Sequence, residues 1–107
     1  MRVLLDECVP RPLRRELSEH EVRTVPEMGW AGKKNGELLA LIKGAGFGAF
    51  ITTDQNLEYQ QNLHAAGISV VVLVALKNTL SVLLPLVPEL RSALERLRPG
   101  EVPHVSV

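Results

Sequence analysis

The sequence predicts an α/β domain built on a mainly parallel sheet of four or five strands, with helices on both faces. Short apolar runs alternate with amphipathic runs along the chain, which is typical of strands joined by helical crossovers. The most apolar run, residues 68–76, is rich in valine, as expected of a strand covered on both faces. The length of 107 residues favours a single domain over residues 1–107.

The first predicted elements are a strand and a short helix. Residues 2–5 form a short apolar run followed by acids, which indicates a buried strand. Pro10 and Pro12 suit the first turn of a helix, where a missing backbone N–H has no consequence. Leu13 and Leu17 are four residues apart with charged residues between them, so we expect this helix to be amphipathic.

The middle of the chain is predicted to supply a second strand, a second helix and a third strand. Residues 21–25 alternate polar and apolar side chains, which indicates a strand with one wetter face. Asn35 is expected to cap the second helix, and Gly44 and Gly46 are expected to end it. Residues 49–53 form the third strand.

The remaining helices are predicted around the most apolar strand. A third helix, capped by Thr53 or Asp54, is expected to run to about residue 66 and to stop at Gly67. Residues 79–97 carry an apolar stripe at helical spacing that two prolines interrupt. Because an interior proline costs about 3 kcal/mol, we expect a short helix, a break and a second helix. Residues 102–107 are predicted as an edge strand.

The composition excludes several classes of protein. The 12 basic and 12 acidic residues give zero net charge, which excludes a protein that coats nucleic acid by bulk charge, so a polyanionic partner requires a local patch. A single cysteine, Cys8, excludes a disulfide framework and a cysteine zinc site. No apolar run approaches the roughly 18 residues of a membrane span, and no signal peptide precedes the first strand. We therefore expect a soluble, cytoplasmic protein with no membrane partner.

Acidic residues follow two of the predicted strands. Asp6 and Glu7 follow the first strand and Asp54 follows the third. Ligands of open parallel sheets bind beyond the carboxyl ends of the strands, so these acids are expected to share one crevice, which Glu37 reaches from the start of the second helix. Carboxylates 4 Å apart repel by about 4 kcal/mol at an effective dielectric of 20, so either protons or a hard cation such as Mg²⁺ or Mn²⁺ must compensate them.

That layout is typical of metal-assisted phosphodiester cleavage. Each acid also has a structural interpretation. Asp54 can cap a helix, Glu37 near a helix N-terminus is favoured by the helix dipole, and Glu7 can be a solvated neighbour of Asp6. Asp6 has no evident structural role, because it lies between an apolar strand and a helix that begins with proline.

Four segments, in order along most of the chain, resemble the PIN-like domain family, in its small stand-alone subtype. They are Leu4-Leu5-Asp6-Glu7 with Pro10 and Leu13, Asn35-Gly36-Glu37-Leu38-Leu39, Ile51-Thr52-Thr53-Asp54, and Val70-Val71-Val72-Leu73. The resemblance implies a three-layer α/β/α fold and a Mg²⁺- or Mn²⁺-dependent endoribonuclease that acts on RNA. Relatives such as the VapC group are toxins of toxin–antitoxin pairs, so an antitoxin partner is also implied.

The resemblance places catalytic and metal-binding acids at Asp6, Glu37 and Asp54, with Glu7 and Asn56 as further candidate ligands. Asn35 and Asn56 stand where relatives often carry acids, and an asparagine carbonyl ligates a metal without adding charge. A catalytically degenerate member that binds a partner is therefore an alternative function.

Two further expectations concern partners, and one concerns another class of protein. Basic residues that border the acidic end of the sheet are candidate nucleic-acid contacts, with solvated surface charge as the alternative; they are Arg11, Arg14, Arg15, Lys33 and Lys34. The apolar stripe near the C-terminus favours a homodimer. The pattern of acids also fits a phospho-receiver domain, in which Asp54 accepts a phosphoryl group and Asp6 and Glu7 hold Mg²⁺, although the chain is short by a strand–helix unit.

Overall fold

A five-stranded parallel sheet forms the centre of the computed structural model, which describes residues 1–57 and 62–106. All neighbouring strands run parallel, in the order β2-β1-β3-β4-β5. The strands are β1 (Arg2–Leu5), β2 (Glu21–Thr24), β3 (Ala49–Thr52), β4 (Val70–Val74) and β5 (His104–Ser106). The predicted parallel sheet and its C-terminal edge strand are confirmed.

Helices connect the strands in the order that the sequence predicts. The described helices are a 3-10 helix (Arg11–Leu17), α1 (Asn35–Gly44), α2 (Leu63–Ala66), α3 (Leu80–Leu83), a 3-10 turn (Leu84–Leu86) and α4 (Val87–Arg96). The expected break between two C-terminal helices is the 3-10 turn, which contains Pro85 near its start. Among the described residues, no helix has the length and apolar composition required to span a membrane.

Two details of the prediction are corrected. Helix α1 begins at Asn35 itself, and the cap position belongs to Lys34, whose backbone is extended with φ −70° and ψ 153°. The third helix does not run unbroken from Asp54, because Asn62 has non-helical backbone angles and its side chain caps α2 by accepting from the N–H of Ala65 at 3.1 Å. Residues 58–61 of the predicted helix lie outside the described residues, and the predicted stop at Gly67 is confirmed by its left-handed φ of 70°.

The two faces of the sheet carry separate apolar layers, because successive side chains of a strand point to opposite faces. One face, which includes Leu5 and Leu73, is covered by the first 3-10 helix, α3 and α4. The other, which includes Leu4 and Phe50, is covered by α1 and α2. The fold is therefore a three-layer α/β/α sandwich, as the resemblance implies.

The connections between strands do not all have the same hand. The chain moves in one direction across the sheet from β3 to β4 and again from β4 to β5, but α2 covers one face whereas α3 and α4 cover the other. The last connection therefore has the opposite hand to the preceding one. About 98% of such connections are right-handed, so we assign the connection from β3 to β4 as right-handed. The connection from β4 to β5 is then left-handed.

Candidate metal centre

Asp6 and Thr52 lie opposite each other at the carboxyl ends of β1 and β3. The sheet register pairs Leu5 with Ile51, and the N–H of Asp6 donates to the carbonyl of Ile51 at 2.9 Å. The next residue on each strand is therefore a cross-strand neighbour with its side chain on the same face. This edge between β1 and β3 is the switch point of a sheet with this strand order, where ligands bind.

The hydroxyl of Thr52 connects the two aspartates of the chain. Thr52 Oγ1 donates to Asp6 Oδ2 at 2.7 Å and accepts from the N–H of Asp54 at 3.0 Å. Thr52 is fully buried, whereas Asp6 and Asp54 are half-buried. Because the short bond to a carboxylate is of the strong, charge-assisted kind, Thr52 fixes the Asp6 side chain relative to the start of the segment that carries Asp54.

Each aspartate also accepts a local backbone hydrogen bond. Asp6 Oδ1 accepts from the N–H of Glu7 at 2.8 Å, and Asp54 Oδ1 accepts from the N–H of Asn56 at 3.0 Å. The second bond is an Asx turn. A carboxylate offers about four lone-pair sites, so both groups retain acceptor capacity on a partly exposed side.

Glu37 and Glu7 are not drawn into this arrangement. Glu37 is in the first turn of α1 and pairs with Lys33 at 3.1 Å, with 56% of its side chain exposed. Glu7 is exposed, and so is Asn56. Within residues 1–57 and 62–106, no three His, Cys, Asp or Glu side chains are close enough to hold one metal ion. The structure thus links Asp6 to Asp54. It does not gather three or four carboxylates of the described residues into one crevice.

A cavity of about 510 Å³, lined in part by charged residues, adjoins Asp6 on the β2 side. Its lining includes Asp6, Glu7, Cys8, Arg11 and Glu27. Cys8 Sγ accepts a hydrogen bond from Thr53 Oγ1 at 3.1 Å and lies 3.8 Å from Thr52 Oγ1, so the thiol packs beside the group that positions Asp6.

The predicted arginines meet a carboxylate at this cavity. Glu27 forms ion pairs with Arg14 at 2.8 Å and with Arg11 at 3.8 Å. It also accepts from the N–H of Thr24 at 3.0 Å. The hydrogen bond from Arg14 is the main reason that the pKa of Glu27 lies below its ordinary value. Two of the three predicted arginines are thus held at the rim by Glu27, and Arg15 is exposed on the same 3-10 helix.

Lys33 and Lys34, the predicted lysines, are exposed at the start of α1. Lys33 is held by Glu37, and Lys34 occupies the cap position of the helix. Helix α1 starts at the carboxyl edge of the sheet, since it follows β2 and packs Leu38, Leu39 and Ile42 against the sheet. Both lysines therefore lie on the side of the molecule that carries the acids.

The donor set of Asp6 and Asp54 fits a hard divalent cation. Both donors are carboxylate oxygens, and Mg²⁺ is commonly bound through one or two carboxylates with water completing its shell. The remaining acceptor capacity of both groups meets that requirement. Within residues 1–57 and 62–106, Asp6 and Asp54 are thus candidate ligands for such an ion.

Sequence reasoning missed Thr52 and Glu27. A polar residue that ends an apolar strand just before an acid was a usable signal for Thr52. Glu27 had no such signal, because 13 residues separate it from Arg14 and no periodicity connects the two.

A parallel α/β sheet with carboxylates at its switch point defines a class of proteins that bind ligands at the carboxyl edge of the strands. Within that class, a family model described as PIN like domain matches residues 1–76. The match covers more than two thirds of the 107 residues and includes Asp6, Glu37 and Asp54, and the chain belongs to the PIN-like domain family. Neither a curated protein nor a solved structure matches it significantly.

Family membership also separates this chain from the phospho-receiver alternative. A receiver has the same strand order, 2-1-3-4-5, so the sheet order does not distinguish the two classes. The family match does, and the reversed hand of the connection into β5 departs from the right-handed rule of doubly wound sheets. PIN-like domains are commonly nucleases.

Proposed function

We propose that this chain is a cytoplasmic, divalent-metal-dependent ribonuclease whose metal is held by Asp6 and Asp54. One observation carries the proposal: a fully buried hydroxyl, Thr52 Oγ1, bonds at once to the Asp6 carboxylate and to the backbone of Asp54. Burying a hydroxyl requires hydrogen-bond partners, and here both partners belong to candidate metal ligands. The family to which the chain belongs supports a nuclease activity.

Each residue near the edge has a proposed role. Asp6 and Asp54 would hold Mg²⁺ or Mn²⁺, and this ion would supply Lewis-acid stabilisation of the charge that develops on the scissile phosphate. Thr52 keeps the Asp6 carboxylate in a fixed orientation, which reduces the reorganisation needed for ligand binding. Glu37 helps to hold the metal or orients the attacking water, and for either role it must leave its ion pair with Lys33.

The basic residues would bind the phosphodiester backbone. Arg11 lines the cavity next to Asp6, and its contact with Glu27 is long at 3.8 Å. An incoming phosphate would compete with Glu27 for this guanidinium. Lys33 would be released for a phosphate if Glu37 turned toward the metal, because the two side chains now neutralise each other.

RNA cleavage tests the proposal directly. The full chain is incubated with single-stranded RNA in Mg²⁺, Mn²⁺ or EDTA, alongside Asp6→Asn and Asp54→Asn. We expect cleavage only with a divalent ion and a loss of at least about 100-fold in rate for either variant, because each removes a charged ligand. Glu95→Gln, a carboxylate loss on the exposed face of α4, is the matched control and should retain wild-type activity. Equal activity of Asp6→Asn and wild type would refute the site.

A second candidate function is a PIN-like domain that binds a partner without cleaving RNA. It is favoured by the finding that the described residues bring no three potential ligands together and by the neutral Asn35 and Asn56. Titration calorimetry with Mn²⁺ separates the two functions. Binding that Asp6→Asn abolishes supports the nuclease, and the lack of any heat of binding supports the non-cleaving domain.

We further propose that the chain is the toxin of a toxin–antitoxin pair and that it forms a homodimer. As a toxin, the wild-type chain would arrest growth when expressed in bacteria, and Asp6→Asn would not. A co-expressed antitoxin would relieve the arrest. Sedimentation equilibrium would give the mass of two 11.8 kDa chains for the homodimer and of one for a monomer.

A further inference from the structure

A second cavity, of about 640 Å³, opens beyond the carboxyl ends of β3, β4 and β5. Its surface is predominantly apolar and its lining includes one charged residue, whereas several charged residues line the cavity beside Asp6. It is lined by Gln55, Val74, Ala75, Leu76, Lys77, Val82 and Ser106. Because Gln55 directly follows Asp54, the cavity adjoins the candidate metal ligands.

Leu76 is the most unusual residue of this lining. Its side chain is fully exposed to solvent, although it continues the most apolar segment of the chain. The strand ends at Val74, and the chain then leaves the sheet, so that Leu76 stands at the mouth of the cavity. Leu76 and the apolar recess beside it form one exposed apolar surface, and such surfaces are candidate ligand-binding sites.

The charge at the cavity also indicates the chemistry of its ligand. Lys77 is the charged residue among those that line it, and it is exposed. A ligand with a flat apolar body and a nearby negative group matches an aliphatic recess beside one lysine. A nucleobase with its phosphate has that composition, since every base offers an apolar face.

The position along the edge agrees with a polynucleotide. The strand order puts β3 between β1 and β4, and neighbouring strands are about 4.8 Å apart. Asp6, Asp54 and the apolar cavity therefore follow one another along about 10 Å of the same edge. A single strand of nucleic acid that crosses this edge would bring one phosphate to the acids and an adjacent base to the cavity.

Resting on the proposed nuclease function, we infer that this cavity is a subsite for one unpaired nucleobase next to the phosphate at Asp6 and Asp54. Val74, Leu76 and Val82 contact the base, and Lys77 contacts its phosphate. A base in a duplex is stacked and paired, so it does not enter such a recess without being flipped out. The inferred substrate is therefore single-stranded.

The first experiment measures binding without cleavage. Fluorescence anisotropy in EDTA compares a labelled single-stranded RNA with its duplex, using the full chain and the variants Leu76→Ser and Lys77→Gln. We expect tighter binding of the single strand. We also expect a loss of about 5-fold for Leu76→Ser, the lower limit of the range for aromatic stacking partners, because leucine offers aliphatic contact only. Leu84→Ser, at another exposed leucine, and Lys43→Gln, at the last turn of α1, are matched controls that should bind as wild type does.

The second experiment places an abasic nucleotide at each position of the strand in turn. An abasic site removes the base and keeps the phosphate, so wild type should lose affinity strongly at one position. Leu76→Ser should no longer respond at that position, whereas Lys77→Gln should still respond. Because both side chains are exposed, the variants should fold, and thermal melts verify it.

The outcomes separate this inference from the proposed function. If Asp6→Asn retains cleavage, or wild type cleaves no RNA with Mn²⁺, the proposed function fails. If wild type cleaves RNA but Leu76→Ser responds to the abasic scan as wild type does, the base subsite is wrong. A Leu76→Ser variant with unchanged RNA affinity and an altered sedimentation mass would overturn the inference in favour of a protein interface.

Discussion

Replacing Thr52 with valine removes the hydroxyl that connects the two aspartates and keeps the shape of the side chain. A hydrogen bond to a charged group is worth about 1.5–3 kcal/mol and a bond to a backbone N–H about 1 kcal/mol. Thr52 is fully buried, but Asp6 is half-exposed, so water recovers part of the loss at the carboxylate. We expect Thr52→Val to lower the free energy of unfolding by about 2–3 kcal/mol, or the Tm by about 8–12 °C for a domain of this size.

The same variant should weaken Mn²⁺ binding by about 10–100-fold, the usual effect of removing a group that orients a metal ligand. Urea denaturation measures the first effect and titration calorimetry the second. Thr52→Ser keeps the hydroxyl and should retain the metal affinity while losing about 1 kcal/mol for the buried methyl group. If the valine and serine variants behave alike in both measurements, the hydroxyl bridge does not position Asp6 and the reasoning is refuted.

Three further predictions concern the cavity rim and the loops. Because its folded-state pKa is lowered, ionised Glu27 stabilises the fold above its unfolded pKa of about 4.3, and that stability is lost as the pH falls through the lower folded value. Glu27→Gln should thus be destabilising at pH 7 in urea titrations and progressively less so toward pH 3; a constant difference would contradict this. Gly100→Ala should lose at least about 1–2 kcal/mol, since its φ is +83° and a Cβ would lie 2.9 Å from Nδ1 of His64. Gly32→Ala, with a φ of +80° and open space around it, should lose less stability than Gly100→Ala. Thermal melts of the two variants measure the difference. Asn62→Ala removes the cap of α2 and should cost about 1 kcal/mol in urea unfolding, whereas an unchanged midpoint would show that the cap is dispensable.

The fold was largely predictable, because buried strands and amphipathic helices leave periodic signals. The first strand matches its prediction at both ends. The fourth does not, since Ile68 is buried before the strand starts and Leu76 is exposed after it ends. The sequence shows that Ile68 and Leu76 are apolar, but the hydrogen bonds to β3 and β5 determine where the strand begins and ends.

The position of the two aspartates at one edge of the sheet was predictable. Asp6 and Asp54 follow strands, and parallel strands direct their carboxyl ends to one edge. Their connection through Thr52 depends on β1 lying next to β3 in a register that pairs Leu5 with Ile51, and a single sequence does not encode that neighbour relation locally. The ion pair of Glu37 with Lys33 was predictable from the sequence, because the two are four residues apart at the start of α1.

The reversed last connection has a consequence for the order in which the protein is completed during synthesis. The layer under α1 and α2 draws its buried residues from Leu4 to Val72, so the ribosome releases all of these residues before the final helices exist. The opposite layer joins Leu13 and Leu17 to Leu90 and Leu94 and stays open until α4 has been synthesised. We expect a nascent chain that ends near residue 76 to have one sheet face uncovered and available to chaperones until α3 and α4 cover that face.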